Sequence, residues 1–228
     1  MTSDLDSKVH YTILKYIIDT GYAPDAPELS KQLKCATKEI KDSLFRLADD
    51  HGVVLHPNNT KIWVIHPFSL WPTNFWVTSK KGSWWGNCAW CSLGIAAILK
   101  EDTRIATTIG AHNERVEIHI ENGKVVESDL YVHFSIPVAQ AWDNVIYYCG
   151  TVLIFQSEEQ VDRWCTMHNM NKGVVLPIEK TWDLAKVWYG NHLAPDWKKW
   201  TTKEAQEIFT QLGLTDDFWK VPLSDERF

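Results

Sequence analysis

Residues 84–100 read WWGNCAWCSLGIAAILK and place two cysteines, Cys88 and Cys91, directly before an apolar run. The run over residues 92–99 has helical character, so the sequence predicts that the cysteine pair lies at or just before a helix start. Backbone N–H groups and the helix dipole favour an anion at such a position and lower the pKa of a thiol. This stretch is therefore the first candidate for a site of chemistry.

A C-x-x-C pair before a helix is compatible with a redox centre, half of a zinc site or a soft-metal site. The zinc interpretation lacks a second ligand pair, because the sequence contains no other C-x-x-C and no H-x-x-x-H. The redox interpretation expects a strand before the first cysteine, where this chain is Trp-rich and interrupted by glycine. Two buried, unreactive thiols are the remaining alternative, since free cysteine is among the most buried residue types.

The composition is that of a globular protein with a core. The chain has 228 residues, of which 45% are hydrophobic and 23% charged, so it forms one large domain or two small ones and is neither disordered, collagen-like nor a coiled coil. The first residues lack a signal-peptide pattern, and no apolar run approaches the roughly 20 residues that span a bilayer. We therefore expect a cytoplasmic protein with reduced thiols and no membrane partner.

Residues 1–66 are predicted to form a three-helix, winged-helix-like domain. Helical patterns over residues 8–20, 23–36 and 37–50 precede two short apolar runs around the turn Pro57-Asn58-Asn59. Acidic residues slightly outnumber basic ones in this segment, and the whole chain carries a net charge of −6. Since phosphate contacts dominate non-specific DNA affinity, nucleic acid is not expected as a partner.

Residues 67–180 are predicted to form a mixed α+β domain, and residues 181–228 a Trp-rich helical extension packed on the core. Asn122-Gly123 predicts a hairpin turn. The run VIYYCGTVLIF over residues 145–155 predicts a buried strand with Cys149 in its middle. Capping-box patterns predict helix starts at positions 157 and 201. The fold class is therefore α+β.

Three stretches together resemble the organomercurial (alkylmercury) lyase family: HPFSLWPTNFWV at 66–77, WWGNCAWCSLGIAAIL at 84–99 and YYCGTVLIFQSEEQVDRW at 147–164. The specific part is N-C-A-W before a helix, with a second cysteine about 60 residues later. The C-terminal pattern is similar to a Trp-rich branch of the family. The resemblance implies a winged-helix-like N-terminal domain that does not bind DNA and a catalytic domain of mixed α+β fold.

The resemblance further implies protonolysis of a carbon–mercury bond, which releases a hydrocarbon and Hg(II). By motif position Cys88 and Cys149 would bind mercury, a soft metal that thiolates prefer to hold. The family's proton-donating carboxylate is replaced here by Cys91, whose thiol could donate the proton and become a third ligand. Alternatively, turnover is weak or lost while three thiols bind Hg(II), Cu(I) or Zn(II), or the scaffold performs a different reaction.

An aromatic pocket is also implied by the resemblance. Trp85 and Tyr148 stand where the family has bulky aromatic residues, and Trp90 flanks the cysteine pair, so the three are candidates to line a pocket for the organic group. Core packing is the alternative role for each of them. Because mercury is part of the substrate, no cofactor is required, and the implied partners are a small organometallic substrate and a thiol or reductase that accepts Hg(II).

The remaining candidates have weaker patterns. Histidines without metal-site spacing are predicted to be surface residues or to have their hydrogen bonds satisfied: His66, His112, His119 and His133. The charged pairs Lys198-Lys199 and Asp216-Asp217 are predicted to lie on solvated faces, and Cys35 and Cys165 to be structural. A metal-sensing winged-helix regulator is the third functional hypothesis, beside the enzyme and the metal-binding protein.

Overall fold

Helices and strands are interleaved along the chain, and the mixed α and β fold confirms the predicted class. The computed structural model describes residues 4–224 and 226–228. Within them the helices are α1 (Asp4–Thr20), α2 (Ala26–Leu33), α3 (Thr37–Asp49), α4 (Ala89–Leu99), α5 (Val145–Thr151), α6 (Glu158–His168), α7 (Ile178–Tyr189) and α8 (Thr202–Gln211). The strands are β1 (Val54–Leu55), β2 (Ile62–Ile65), β3 (Phe68–Ser69), β4 (Trp76–Ser79), β5 (Ser83–Gly86), β6 (Thr103–Thr108), β7 (Arg115–Glu121), β8 (Lys124–Val125), β9 (Tyr131–Phe134), β10 (Leu153–Phe155) and β11 (Val174–Pro177).

The strands form two antiparallel sheets. The larger sheet has the order β1-β2-β3-β5-β4-β6-β7-β8, and the smaller has the order β10-β9-β11. Both predicted hairpins are confirmed, since β1 pairs with β2 and β7 pairs with β8. The described residues contain no helix that is long and apolar enough to cross a membrane.

The N-terminal helices agree with the helical periodicity in the sequence. The buried carboxylate of Asp6 on α1 accepts hydrogen bonds from Ser43 and Arg46 on α3, so a charged pair holds the two helices together. The indole of Trp84 donates to the carbonyl of Ile17, which ties α1 to the large sheet. The winged-helix description and the division at residues 66 and 180 stay predictions.

Helix α4 is buried around its entire circumference. Every residue from Ala89 to Leu99 is buried, as expected for a helix that is apolar on all sides. It begins as predicted, with Cys88 as the N-cap, whose sulfur accepts a hydrogen bond from the backbone N–H of Cys91.

Close packing of α4 against α7 depends on Gly94. A Cβ atom at this position would lie 2.3 Å from Cδ2 of Tyr189 on α7, so the ring occupies the space that any side chain would need. This approach brings the Tyr189 hydroxyl to 3.4 Å from the sulfur of Cys91.

The predicted strand over residues 145–155 is wrong for most of its length. Residues Val145–Thr151 form helix α5, and only Leu153–Phe155 pair as a strand. The side chain of Asn144 accepts a hydrogen bond from the N–H of Tyr147 and caps the helix, which overrides the strand preference of the β-branched and aromatic residues. Cys149 is therefore a buried helical residue near the end of α5.

The C-terminal segment folds back over the N-terminal helix and α7. Trp197 stacks on His10 of α1, with ring centroids 3.5 Å apart, and the indole of Trp200 donates to the carbonyl of Trp188 on α7. Helix α8 begins with the predicted capping box of Thr201 and Glu204.

We expect Gly94→Ala to lower the melting temperature, because the added methyl group must displace the Tyr189 ring; overpacking of this kind costs about 1–3 kcal/mol. Gly150→Ala is the matched control, since Gly150 lies on α5 and a Cβ atom added there would meet no atom within 4 Å. A helical Gly→Ala change at such an open position is stabilising by about 0.5–1 kcal/mol. Thermal unfolding followed by circular dichroism compares the two, and equal melting temperatures would contradict the packing argument.

Candidate active site

The C-x-x-C pair of Cys88 and Cys91 meets the distant Cys149 at the start of α4. The thiol of Cys88 donates to the sulfur of Cys91 across 3.2 Å, and the sulfur of Cys149 lies within 4.8 Å of that of Cys91. All three are buried and free of disulfides. The structure thus brings together the three predicted cysteines, and α5 rather than a strand supplies the third.

The hydrogen bonds in this cluster concentrate negative charge on Cys91. Burial alone would raise the pKa of Cys91, but hydrogen bonds from Cys149 and Cys88, the nearby His66 and the Tyr189 hydroxyl lower it well below its usual value. Burial and the neighbouring sulfurs raise the pKa of Cys88. The hydrogen bond with Cys88 lowers the pKa of Cys149, but the hydrogen bond to Cys91 together with burial raises it. Of the three cysteines, Cys91 is therefore the one that loses its proton most readily.

A histidine that the sequence pattern assigned no role in the site completes the cluster. His66 lies at the turn between β2 and β3, is 7% exposed, and places Nε2 3.8 Å from the sulfur of Cys149. The ligand atoms of His66, Cys91 and Cys149 all lie within 4.8 Å of one another. Burial lowers the pKa of His66 to about 4, so its imidazole is neutral at pH 7 and can act as a metal ligand. The prediction of a surface or satisfied histidine is wrong, since within the described residues its Nδ1 has no hydrogen-bond partner.

A cavity of about 240 Å³ reaches the cluster at Cys149. Its lining is largely apolar and aromatic: Trp63, Ser69, Trp71, Pro72, Thr73, Asn74, Phe75, Asn87, Ala111, Ile146, Cys149, Gly150 and Leu153. An apolar cavity of about 150 Å³ in another protein binds benzene, so this one has room for an alkyl or aryl group next to a sulfur.

The three aromatic residues predicted to line the pocket lie outside the lining of this cavity. Trp85 packs on Trp76, with ring centroids 4.4 Å apart. Trp90 is buried against Tyr189 and Trp188 on α7. Tyr148 is buried, and burial followed by the charge of the cysteines raises its pKa well above the usual value. Among the described residues that line the 240 Å³ cavity, none of these three is present.

The structure also places the remaining candidates of the sequence analysis, which are three histidines and two charged pairs. His119 has a hydrogen-bond partner in Glu127, and His112 is exposed. His133 is buried, and its Nε2 contacts the Lys172 carbonyl, but its Nδ1 has no hydrogen-bond partner among the described residues, so the prediction of a surface or satisfied histidine is wrong for His133 too. Lys198, Asp216 and Asp217 are exposed as predicted. Lys199 is the exception: it is only 5% exposed, so its assignment to a solvated face is wrong.

Comparison with known proteins identifies the family to which this chain belongs. A model of the alkylmercury lyase family matches residues 68–190, a span that contains all three clustered cysteines and more than half of the chain. The chain belongs to the alkylmercury lyase family. The family acts on organomercurial substrates, and membership makes this protein a carbon–mercury lyase-like enzyme.

Among solved structures, the mercury-bound form of MerB2 has a similar fold. The match has a TM-score of 0.63 at 22% sequence identity and covers 83% of this chain and 91% of the other. Comparison with curated proteins finds no match.

Two residues of the cluster could not be identified from the sequence, because folding brings them to it from distant parts of the chain. His66 is a lone histidine before a proline, and Tyr189 is one aromatic residue on an amphipathic helix.

The buried histidines predict a loss of stability in acid. Burial and Lys199 lower the pKa of His10 to about 3, whereas the unfolded chain binds this proton near pH 6.5. As pH falls below 6.5 only the unfolded state gains the proton, so stability decreases until the folded pKa is reached. At pH 4 His10 therefore lowers the free energy of unfolding by roughly 2–4 kcal/mol, since each pH unit below 6.5 costs about 1.36 kcal/mol.

We therefore expect His10→Phe, which keeps the stack on Trp197, to show a shallower fall in melting temperature between pH 7 and pH 4 than the wild type. His112→Gln, at an exposed position, serves as the control and should keep the wild-type slope. A slope unchanged by His10→Phe would contradict the burial of a neutral imidazole.

Proposed function

We propose that the protein cleaves the carbon–mercury bond of a small organomercurial by protonolysis at the Cys88–Cys91–Cys149 cluster and releases a hydrocarbon and Hg(II). The observation that carries the proposal is the meeting of three thiols, one of which, Cys149, borders a cavity large enough for an organic group. No cofactor takes part, because mercury enters as part of the substrate.

The first step is the exchange of a mercury ligand. Cys149 is the cysteine that borders the cavity, so it meets the substrate R–Hg–X first. Its proton passes along the hydrogen bond to the Cys91 thiolate, and the resulting Cys149 thiolate binds mercury and displaces X⁻. Soft mercury favours sulfur over the oxygen and nitrogen ligands nearby.

The second step breaks the carbon–mercury bond. Cys91 gives its proton to carbon, the electron pair of the carbon–mercury bond forms the C–H bond, and R–H leaves. The sulfur of Cys88 binds mercury as its own proton moves to Cys91 along the 3.2 Å hydrogen bond. Hg(II) then lies between two thiolates, Cys91 is a thiol, and charge and protons balance.

The released Hg(II) needs an acceptor with sulfur ligands, and a small thiol or a reductase is the proposed partner. A cytoplasmic location is part of the proposal, since reduced thiols persist there.

A soft-metal-binding protein without turnover is the second candidate. It is supported by the His66–Cys91–Cys149 group, whose buried nitrogen and sulfur ligands suit Hg(II), Cu(I) or Zn(II). This candidate requires no proton transfer to carbon, so hydrocarbon release separates it from the enzyme.

The reduced wild-type protein, incubated with methylmercury or phenylmercury and excess thiol, is expected to release methane or benzene, detected by gas chromatography. Cys88→Ala and Cys149→Ala should abolish both mercury retention and turnover. Cys91→Ala should retain mercury but lose turnover by about 10²–10⁴-fold, the usual contribution of a general acid.

Cys165→Ala is the matched control, because Cys165 is also buried but contacts His133 instead of the cluster. The Cys165→Ala variant should release hydrocarbon at the wild-type rate. Tight Hg(II) binding without hydrocarbon release would reject the enzyme in favour of the binding protein, and undiminished turnover in Cys91→Ala would reject Cys91 as the proton donor.

A further inference from the structure

A pair of exposed histidines lies apart from the cysteine cluster. His112 follows the short turn Ile109–Ala111, and His168 is the last residue of α6. Their Nε2 atoms are 3.4 Å apart, although 56 positions separate the two residues in the sequence. Neither histidine belongs to the His66–Cys91–Cys149 group. The pair is therefore a second place where ligand atoms for a metal ion come together.

The distance between the two nitrogens fits a shared metal ion better than a hydrogen bond. Zn–N bonds of about 2.0–2.1 Å at a tetrahedral angle separate two nitrogens by roughly 3.3–3.4 Å. An N–H hydrogen bond usually spans about 2.7–3.2 Å between heavy atoms, so 3.4 Å is long for donation from one ring to the other. The ring centroids are 5.6 Å apart, and rotation of either exposed ring can direct both lone pairs at an ion between them.

A buried tryptophan fixes the positions of both histidines. The ring of His168 packs on Trp164, with centroids 4.5 Å apart. The indole of Trp164 donates a 3.0 Å hydrogen bond to the carbonyl of Gly110, two residues before His112. Trp164 thus holds one histidine by ring contact and the other through its backbone. Ligands that are held in place in advance lose less conformational entropy when they bind an ion.

Close packing shapes the turn that delivers His112. A Cβ atom on Gly110 would lie 2.9 Å from Cε1 of Phe155 and 3.0 Å from Cδ1 of Trp164, and the φ angle of Gly110 is 56°. Ala111 also has a positive φ, 58°, which is uncommon for a residue other than glycine. These two left-handed residues turn the chain so that His112 meets α6. Ala111 also lines the 240 Å³ cavity at Cys149, so the residue next to His112 forms part of that cavity's wall.

The charges around the pair suit a hydrated cation. His168 lies in the last turn of α6, where unpaired backbone carbonyls carry partial negative charge. A cavity of about 180 Å³ adjoins His112, and its lining includes one charge of each sign, Glu114 and Arg163. Within the part of the chain that the structure describes, no third histidine, cysteine or carboxylate completes a ligand set with this pair. Water molecules would therefore fill the remaining positions of a bound ion.

We propose that His112 and His168 form a second metal site, which binds a divalent transition-metal ion of the zinc class through two imidazole nitrogens and water. Imidazole suits ions such as Zn(II) and Ni(II), whereas soft mercury prefers sulfur. The bound ion links the turn before His112 to α6 and so stabilises one wall of the 240 Å³ cavity. The inference does not depend on the proposed function, because the pair is separate from the cysteine cluster.

The test titrates tag-free, full-length protein with Zn(II) by isothermal titration calorimetry. A Cys149→Ala background removes one ligand of the buried His66–Cys91–Cys149 group, so that binding reports on the histidine pair. We expect one zinc ion per chain. His112→Gln and His168→Gln should each weaken binding by about 100-fold or more, since loss of even an outer-shell partner costs about 10–100-fold in metal affinity.

Thermal unfolding supplies a second measurement. Zinc should raise the melting temperature, because a ligand that binds only the folded state stabilises it, and both variants should lose this shift. His56→Gln is the matched control, since the ring of His56 packs on Trp63 instead of a second histidine; it should keep both the affinity and the shift. Full zinc affinity in either His112→Gln or His168→Gln, or no zinc binding in the Cys149→Ala background, overturns the inference.

Discussion

The rest of the structure depends on holding three cysteine sulfurs together in a dry interior, where the pKa of one of them, Cys91, is lowered well below its usual value. A lone thiolate in such a place would take up a proton, because desolvation favours the neutral form. Here the sulfur of Cys91 receives hydrogen bonds from two other thiols and lies beside the Tyr189 hydroxyl. The charge is therefore stabilised by donors from three separate elements, α4, α5 and α7, and the packing of those elements determines whether the site exists.

That requirement explains the unusual character of α4 and its neighbours. A helix buried on every side has no solvent to stabilise its first turn, so the N-cap role falls to the sulfur of Cys88. The absence of a side chain at Gly94 lets α7 approach closely enough for its last residue to reach the cluster. Packing and chemistry are thus linked: the same contact that fills the core also supplies a hydrogen-bond donor to the reactive sulfur.

Local patterns in the sequence were sufficient for helices α1 to α4, α6 and α8, the two hairpins and the cysteine pair at the start of α4, because caps, turns and apolar periodicity act over a few residues. They failed at residues 145–151, where the apolar β-branched run hid the cap formed by Asn144. They failed again at His66 and Lys199, whose neighbours come from distant parts of the chain. The family resemblance connected Cys149 to Cys88, a step that spacing alone could not supply, while residues outside the matched region were left unassigned.

A thiol stands at position 91, where the family resemblance implies a carboxylate, and this difference would change the balance of charge in the proposed reaction. A carboxylate would be anionic beside two thiols and would compete with them for nearby protons. A third thiol instead joins their hydrogen-bonded network, so that a proton taken from one sulfur can be carried by the next without creating a second buried charge. This arrangement also leaves a third sulfur beside Hg(II) after the hydrocarbon has left, so removal of the metal should depend on competing sulfur ligands from outside.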